Sequence, residues 1–255
     1  MPKILCNDVN LNYCLKGVGK KSFILLHNAG GNLHFMNYQF RHLSQKARVV
    51  SVDLRGHGES DKPNAPYAVS IYAEDLISLC QELQIEEVAV VGLNYGGVVA
   101  IELANRKPNL ASELVLIDPP MVMESWVKDL IQNHINELQD PNMQNFSQQL
   151  VESVVIDAAK EDKLMAIRAF DTTSRPALIS TYQDLLEWDR TSHDKIRQCT
   201  MPVLNIQSSH PFCSEASLRN LCPHLINEKT TKSGPWATLE VPTQVNAMID
   251  RFLNL

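Results

Sequence analysis

The stretch Val90–Ala100, VVGLNYGGVVA, joins an apolar strand to a glycine-rich turn and the start of a helix. Its centre, Gly92-x-Asn94-x-Gly96, has the spacing of the G-x-S-x-G turn, in which a serine nucleophile lies between a strand and a helix. Here the central residue is Asn94, whose amide neither ionises nor attacks carbonyl carbons readily. The stretch therefore predicts a strand–turn–helix unit and raises the question of what this turn does without a nucleophile.

The segments around this turn predict a mostly parallel sheet. Apolar runs such as FILLHNAGGN and ARVVSVDLRGHGES alternate with segments of helical period, which is typical of buried parallel strands covered by helices. From residue 121 to residue 197 the period is helical throughout, and a strand pattern resumes at MPVLNIQSS. We predict an α/β core formed by residues 1–120 and 198–255, with a helical cap of residues 121–197 inserted between two of its strands.

Composition narrows the class of protein. The chain has 255 residues, 44% hydrophobic and 20% charged, with a formal net charge of -6, so nucleic acid and anionic membranes are poor candidates for partners. No signal peptide and no membrane-spanning run is visible. The six cysteines form no C-x-x-C pair, which favours reduced thiols in a cytoplasmic protein over a disulfide framework or a metal site. The oligomeric state, monomer or homodimer, stays open.

Four segments, in order along the chain, resemble the landmarks of the α/β-hydrolase superfamily: LLHNAGGN, VDLRGHGESDKP, VVGLNYGG and SGPWATLEVPTQVNAMIDRFL. The second is the most specific, and we expect Asp53, Arg55 and Glu59 to fix its loop by charge-assisted hydrogen bonds. The resemblance covers essentially the whole chain. It implies the α/β-hydrolase fold, with a mostly parallel eight-stranded sheet flanked by helices and an inserted helical cap.

The resemblance also implies a catalytic triad, and this chain departs from it at all three usual positions. Asn94 replaces the serine, and Pro235 stands where relatives carry a histidine. The Ser208–His210 loop lacks the acid that relatives usually place there. We therefore do not expect ester or amide hydrolysis by a Ser-His-Asp relay.

The oxyanion loop is better preserved. The resemblance implies that the backbone N–H groups of Tyr95 and Ala29, the latter in the loop after His27, would hold a negatively charged oxygen. Asn28 occupies the position of a family glycine. We expect the side-chain amides of Asn28 and Asn94 to add N–H donors directed at a bound carbonyl or enolate.

His210 is the candidate general base, with Asp118 as the carboxylate that would orient it. The alternative is that His210 is a loop residue bonded to a backbone carbonyl, and that Asp118 only caps the turn before Pro119. Pro235 and Trp236 are expected to line the cavity, and His27 is grouped with the oxyanion and ligand-binding residues, although in relatives it more often serves loop structure.

We favour an enzyme without cofactor or metal that carries out non-hydrolytic chemistry on a small carbonyl compound of specialised metabolism. Cyclisation, dehydration, isomerisation and C–C bond cleavage all fit, so the activity would be that of a cyclase, lyase or isomerase. This preference depends on the polar donors at positions 28 and 94, and the link to biosynthesis is an analogy with the fold. The alternative is a non-catalytic binding or sensor protein. A third hypothesis is a hydrolase with an atypical nucleophile such as Cys213 or Ser209.

Overall fold

One eight-stranded sheet organises the chain, which a computed structural model describes over residues 1–255. The strands are β1 (Lys3–Cys6), β2 (Val9–Lys16), β3 (Ser22–Leu26), β4 (Arg48–Val52), β5 (Val88–Leu93), β6 (Ala111–Ile117), β7 (Val203–Gln207) and β8 (Ile226–Lys229). Their order in the sheet is β1-β2-β4-β3-β5-β6-β7-β8. The pairs β1–β2 and β2–β4 are antiparallel and the other five are parallel. This confirms the predicted mostly parallel eight-stranded sheet.

Eleven α-helices accompany the sheet. They are α1 (Asn37–Leu43), α2 (Val69–Glu82), α3 (Tyr95–Arg106), α4 (Ser125–Gln139), α5 (Phe146–Val154), α6 (Lys160–Thr172), α7 (Arg175–Trp188), α8 (Ser192–Arg197), α9 (Glu215–Leu221), α10 (Ala237–Glu240) and α11 (Pro242–Leu253). The helices α4 to α8, here called the cap helices, all lie between β6 and β7 in the chain. The division into a core and an inserted cap stays a prediction. None of the helices offers an apolar stretch long enough to cross a bilayer.

The central strands are covered on both faces. Every residue of β3 and β5 is buried, as their continuous apolar sequences predict for parallel strands between two helical layers. Because the carboxyl ends of parallel strands meet at one edge of a sheet, the loops after β3, β5, β6 and β7 converge there. The oxyanion loop, the elbow, Asp118 and the Ser208–His210 loop all lie at this edge.

The loop after β4 is held by buried charges. The Asp53 carboxylate accepts hydrogen bonds from the backbone N–H groups of Leu33, at 2.7 Å, and of Glu59, at 2.9 Å. The Arg55 guanidinium makes two bonds of 2.6 Å to the Asp75 carboxylate in α2, and both side chains are almost fully buried. Asp53 and Arg55 therefore have the structural role that their charges suggest, whereas Glu59 contributes its backbone.

Candidate active site at the elbow

The elbow keeps its backbone geometry without a nucleophile. Asn94 has φ 45° and ψ -110°, between the last residue of β5 and the first of α3. A Cβ atom on Gly92 would come within 2.3 Å of the Gly96 backbone, and one on Gly96 within 2.6 Å of the Leu26 carbonyl oxygen. Only glycine fits at these two positions. The flanking glycines therefore permit the tight turn, and the residue at its tip must adopt positive φ.

The Asn94 side chain binds two backbone carbonyls. Its Nδ2 group donates to the carbonyl oxygen of Asp118 at 2.8 Å and to that of Pro235 at 3.2 Å. Two acceptors fix which end of the amide is nitrogen, because the opposite orientation would place oxygen against oxygen. The expectation that Asn94 offers N–H donors to a ligand is therefore wrong. Its Oδ1 atom, which accepts no hydrogen bond, is the atom left for the cavity.

The two backbone N–H groups expected to hold an oxyanion have no acceptor in the protein. Tyr95 begins α3, so its N–H has no acceptor within the helix, and the N–H of Ala29 has no protein acceptor either. Both residues line the cavity beside Asn94. The Asn28 Nδ2 group, by contrast, donates to the Ala29 carbonyl at 3.2 Å, and its Oδ1 atom is unpaired. Asn28 thus lines the cavity, as expected, but its amide donor is also engaged with the backbone.

His27 has a structural role. One ring nitrogen lies 2.7 Å from the Asn28 carbonyl oxygen, and the other accepts the backbone N–H of Leu54 at 3.0 Å. Complete burial lowers the pKa of His27 to about 4, so the ring stays neutral. His27 ties the oxyanion loop to the loop after β4 and does not line the cavity, so its grouping with the ligand-binding residues is wrong.

The two residues at the histidine position close the wall of the cavity. Pro235 and Trp236 both line it, as expected. The indole is stacked on the Phe170 ring of α6, with centroids 5.8 Å apart, and meets the Phe35 ring edge-on. An apolar aromatic wall, without an acid–base group, therefore faces the elbow.

The structure does not bring His210 and Asp118 together as a catalytic pair. His210 is exposed, and its backbone N–H donates to the Ser208 hydroxyl at 3.3 Å. It does not line the cavity and makes no hydrogen bond to Asp118. The loop turns the imidazole to solvent, so His210 is not placed to act as the base.

Asp118 is instead a buried carboxyl group behind the elbow. It has φ 47° and is 2% exposed, and its Oδ2 atom has no hydrogen-bond partner. Burial raises the pKa of Asp118 to about 7, although the neighbouring Ser208 and the backbone of Phe212 favour the ionised form. Its part in the site is the backbone carbonyl that Asn94 binds.

The cavity has a volume of about 90 Å³ and a mostly apolar lining. The cap helices α4 to α7 contribute Val127, Leu130, Ile131, His134, Leu150, Val154, Phe170, Tyr182 and Leu185. The loops add Pro120 and Phe212 to the elbow and oxyanion residues already described. No lysine, arginine, aspartate or glutamate lines the cavity.

His134 is a lining residue that sequence reasoning missed. It is a half-buried residue of α4 and packs against the rings of Phe146 and Tyr182 at centroid distances of 5.8 and 5.9 Å. Burial lowers the pKa of His134, which keeps the imidazole neutral and able to accept a proton. Its helical spacing from Val127 and Ile131 places all three residues on one face of α4. That spacing is the sequence pattern from which the position of His134 could have been predicted.

Neither candidate for an atypical nucleophile lines the cavity. Cys213 is buried, and burial raises the pKa of its thiol to about 12, so the thiolate is scarce at neutral pH. The Ser209 hydroxyl accepts the backbone N–H of Ser233 at 3.2 Å. The geometry gives no support to a nucleophile from this loop.

Comparison with known proteins identifies the family. A family model described as the α/β hydrolase fold matches residues 21–160, more than half of the chain. The chain belongs to the α/β-hydrolase fold family. This α/β-hydrolase is similar to 3-oxoadipate enol-lactonase 2 of Acinetobacter baylyi, with 23% identity over 265 residues that cover 97% of this chain and 94% of that protein.

A second similarity has a higher sequence identity over a shorter segment. Over 96 residues the chain is 40% identical to an uncharacterized protein of Mycobacterium bovis, which covers 38% of this chain and only 28% of the mycobacterial protein. The chain therefore matches less than a third of that relative's length.

Solved structures of α/β-hydrolases agree with the fold. An esterase from Exiguobacterium antarcticum superimposes with a TM-score of 0.88 at 18% identity, covering 99% of both chains. The enol-lactonase from Burkholderia xenovorans gives 0.85 at 19% identity, covering 100% of both. At these identities the likeness concerns the fold alone. The family is one of enzymes, and the relatives named here with an activity are hydrolases.

Proposed function

We propose that this α/β-hydrolase is an enzyme that performs cofactor-independent, non-hydrolytic chemistry on a small, uncharged carbonyl compound. One observation carries the proposal: the N–H groups of Ala29 and Tyr95 are free at the cavity, while Asn94 beside them is not a nucleophile. An oxyanion site of this kind stabilises an enolate as well as a tetrahedral intermediate. The machinery for charge stabilisation is thus retained where the machinery for acyl transfer is missing.

His134 is the acid–base group that fits this chemistry. It is the one lining side chain whose ordinary pKa lies near neutrality, and burial keeps it neutral. Proton removal from the carbon next to the carbonyl would move the proton to the imidazole and the electron pair to the carbonyl oxygen. That oxygen would accept from the N–H groups of Ala29 and Tyr95, and return of the proton to another atom would complete an isomerisation. Cyclisation and dehydration can start from the same enolate. In C–C cleavage of a β-hydroxy carbonyl compound the imidazole would take the hydroxyl proton, and the electron pair of the broken C–C bond would give that enolate as a product.

A second function, non-catalytic binding, is favoured by the way Asn94 closes the site. Its bonds to Asp118 and Pro235 hold the elbow and two loops together without any reacting group. A hydrolytic function is favoured by the names of the relatives, and the test below separates it from the other two.

The test is untargeted mass spectrometry of a small-molecule extract from the source cells, incubated with protein in ¹⁸O-labelled water. We expect compounds that wild type consumes, with products whose mass is unchanged, lower by one water, or divided between two fragments that sum to the mass of the substrate, and which carry no ¹⁸O introduced by bond cleavage. The matched variant His134→Phe keeps an aromatic ring against Phe146 and Tyr182 but removes the titratable nitrogens, and it should leave those compounds unconsumed. Products split by labelled water would overturn the proposal in favour of hydrolysis, and compounds that co-purify unchanged would overturn it in favour of binding.

A further inference from the structure

Three unpaired polar atoms beside the elbow form a pattern that indicates the ligand. The donors are the backbone N–H groups of Ala29 and Tyr95. The acceptor is the Oδ1 atom of Asn94, which lacks a partner because the amide has turned its nitrogen to two backbone carbonyls. All three residues line the same cavity. A ligand that satisfies both kinds of atom must carry an acceptor and a donor close together.

The charge of the lining restricts the ligand further. No cationic side chain faces the cavity, so a carboxylate would lose its hydration without gaining a counter-ion, and would also meet the acceptor oxygen of Asn94. No carboxylate faces it either, so an ammonium group has no partner. A simple ketone or ester would satisfy the N–H groups but leave the Asn94 oxygen unpaired, which is unfavourable in a buried site.

We propose that the cavity recognises an uncharged carboxamide. Its carbonyl oxygen would accept from the N–H groups of Ala29 and Tyr95, and its N–H would donate to Asn94 Oδ1. This assignment rests on the proposed function, because it places the ligand's carbonyl in the same oxyanion site. The amide side chain of Asn94 would then serve to recognise an amide ligand, through the pair formed by its Oδ1 atom and the N–H group of the ligand. A serine hydroxyl at this position would recognise that N–H group less selectively.

The volume of the cavity limits the size of the compounds that can be used as probes. About 90 Å³ is less than the roughly 150 Å³ of a cavity known to hold benzene, so the probes should be smaller than an aromatic ring. Propionamide, butan-2-one and propionate have the same number of non-hydrogen atoms and nearly the same shape. They differ in whether the group beside the carbonyl is a donor, a methyl group or a charged oxygen.

The experiment titrates each probe into ¹⁵N-labelled protein and follows the backbone amide resonances of Ala29 and Tyr95. We expect propionamide to shift both with a Kd about tenfold lower than that of butan-2-one, the factor for one buried hydrogen bond, and propionate to bind most weakly. In Asn94→Ala the acceptor is gone. The ratio of the two Kd values, measured for propionamide and butan-2-one on this same variant, should then fall to less than about twofold.

The outcomes separate this inference from the proposed function. Equal Kd values for propionamide and butan-2-one at Ala29 and Tyr95 would overturn the carboxamide assignment and leave the oxyanion site standing. Tightest binding of propionate would also overturn it. No shift at either residue with any probe would overturn both. Asn94 has positive φ, so Asn94→Ala risks misfolding, and the comparison of probes on wild type decides the question without it.

Discussion

Asn94 changes the chemistry of the elbow while leaving its backbone intact. Asparagine tolerates positive φ better than most residues, which suits φ 45° at this position. Its side chain then supplies two N–H donors, one to the Asp118 carbonyl and one to the Pro235 carbonyl. A serine hydroxyl has a single donor and would leave at least one of those carbonyls without this partner. The amide therefore links three loops around the cavity.

Restoring the nucleophile alone is not expected to restore hydrolysis. Asn94→Ser should turn over p-nitrophenyl acetate no faster than wild type, because Pro235 cannot accept the serine proton. Asn94→Ser with Pro235→His should exceed the single variant, by up to about 100-fold, since a positioned base contributes on this order. The release of p-nitrophenol is followed by absorbance. An acetyl group found by peptide mass spectrometry on the serine of the single variant, with steady turnover, would contradict the prediction.

Buried charge joins the loop after β4 to helix α2. Arg55 and Asp75 are 4% and 2% exposed in their side chains, and Arg55 also bonds the exposed carboxylate of Asp8 at 2.9 Å. Removing one partner leaves the other charge buried without a counter-ion. This lowers the free energy of unfolding more than the loss of an exposed ion pair does. The pair thus fixes the loop that packs behind the oxyanion residues.

Arg55→Met should lower the free energy of unfolding by about 3–5 kcal/mol, because Asp75 stays buried without its counter-ion. Urea unfolding followed by circular dichroism measures the change. The control is Arg197→Met, which removes an exposed pair with Asp194 and should cost at most about 1 kcal/mol. If Arg55→Met and Arg197→Met have the same stability, the ion pair does not hold the loop.

The free energy of unfolding of the whole molecule should depend on pH through three buried groups. Burial raises the pKa of one of them and lowers the pKa of the other two. Burial raises the pKa of Asp118 to about 7, from an ordinary value of 3.8. Between these values the folded state binds more protons than the unfolded state, so this contribution to stability is lost as pH rises through about 7. Burial lowers the pKa of His27 to about 4 and of His57 to about 3, from 6.5, so their contribution is lost as pH falls below 6.5.

Asp118→Asn isolates the first of these groups. The uncharged amide does not titrate, so the variant should gain stability relative to wild type between about pH 5 and about pH 8, while the two histidines act equally in both proteins. Urea unfolding at the two pH values measures the difference. A stability difference that is the same at both would show that Asp118 keeps an ordinary pKa in the folded protein.

The strands, the elbow and the family were predictable from the sequence, because each is a local property of the chain. Apolar runs interrupted by helical periods indicate a parallel sheet, and Gly92 and Gly96 permit the close backbone approach of the tight turn. The free N–H groups of Ala29 and Tyr95 follow from their positions in these motifs. The sequence also identified Asn94 as the residue at the tip.

The partners of the side chains were decided only by the tertiary structure. Asn94 lies 24 residues from Asp118 and 141 from Pro235 in the chain. No local sequence pattern predicts that the carbonyl oxygens of these two residues accept hydrogen bonds from its amide. In the same way, His210 lies outside the cavity because its loop is exposed, and His134 lines the cavity because of the way α4 packs. Hydrogen bonds act over about 3 Å and are selected by whichever groups the folded chain brings within that distance, so the chemistry of the site depends on contacts that the order of residues does not specify.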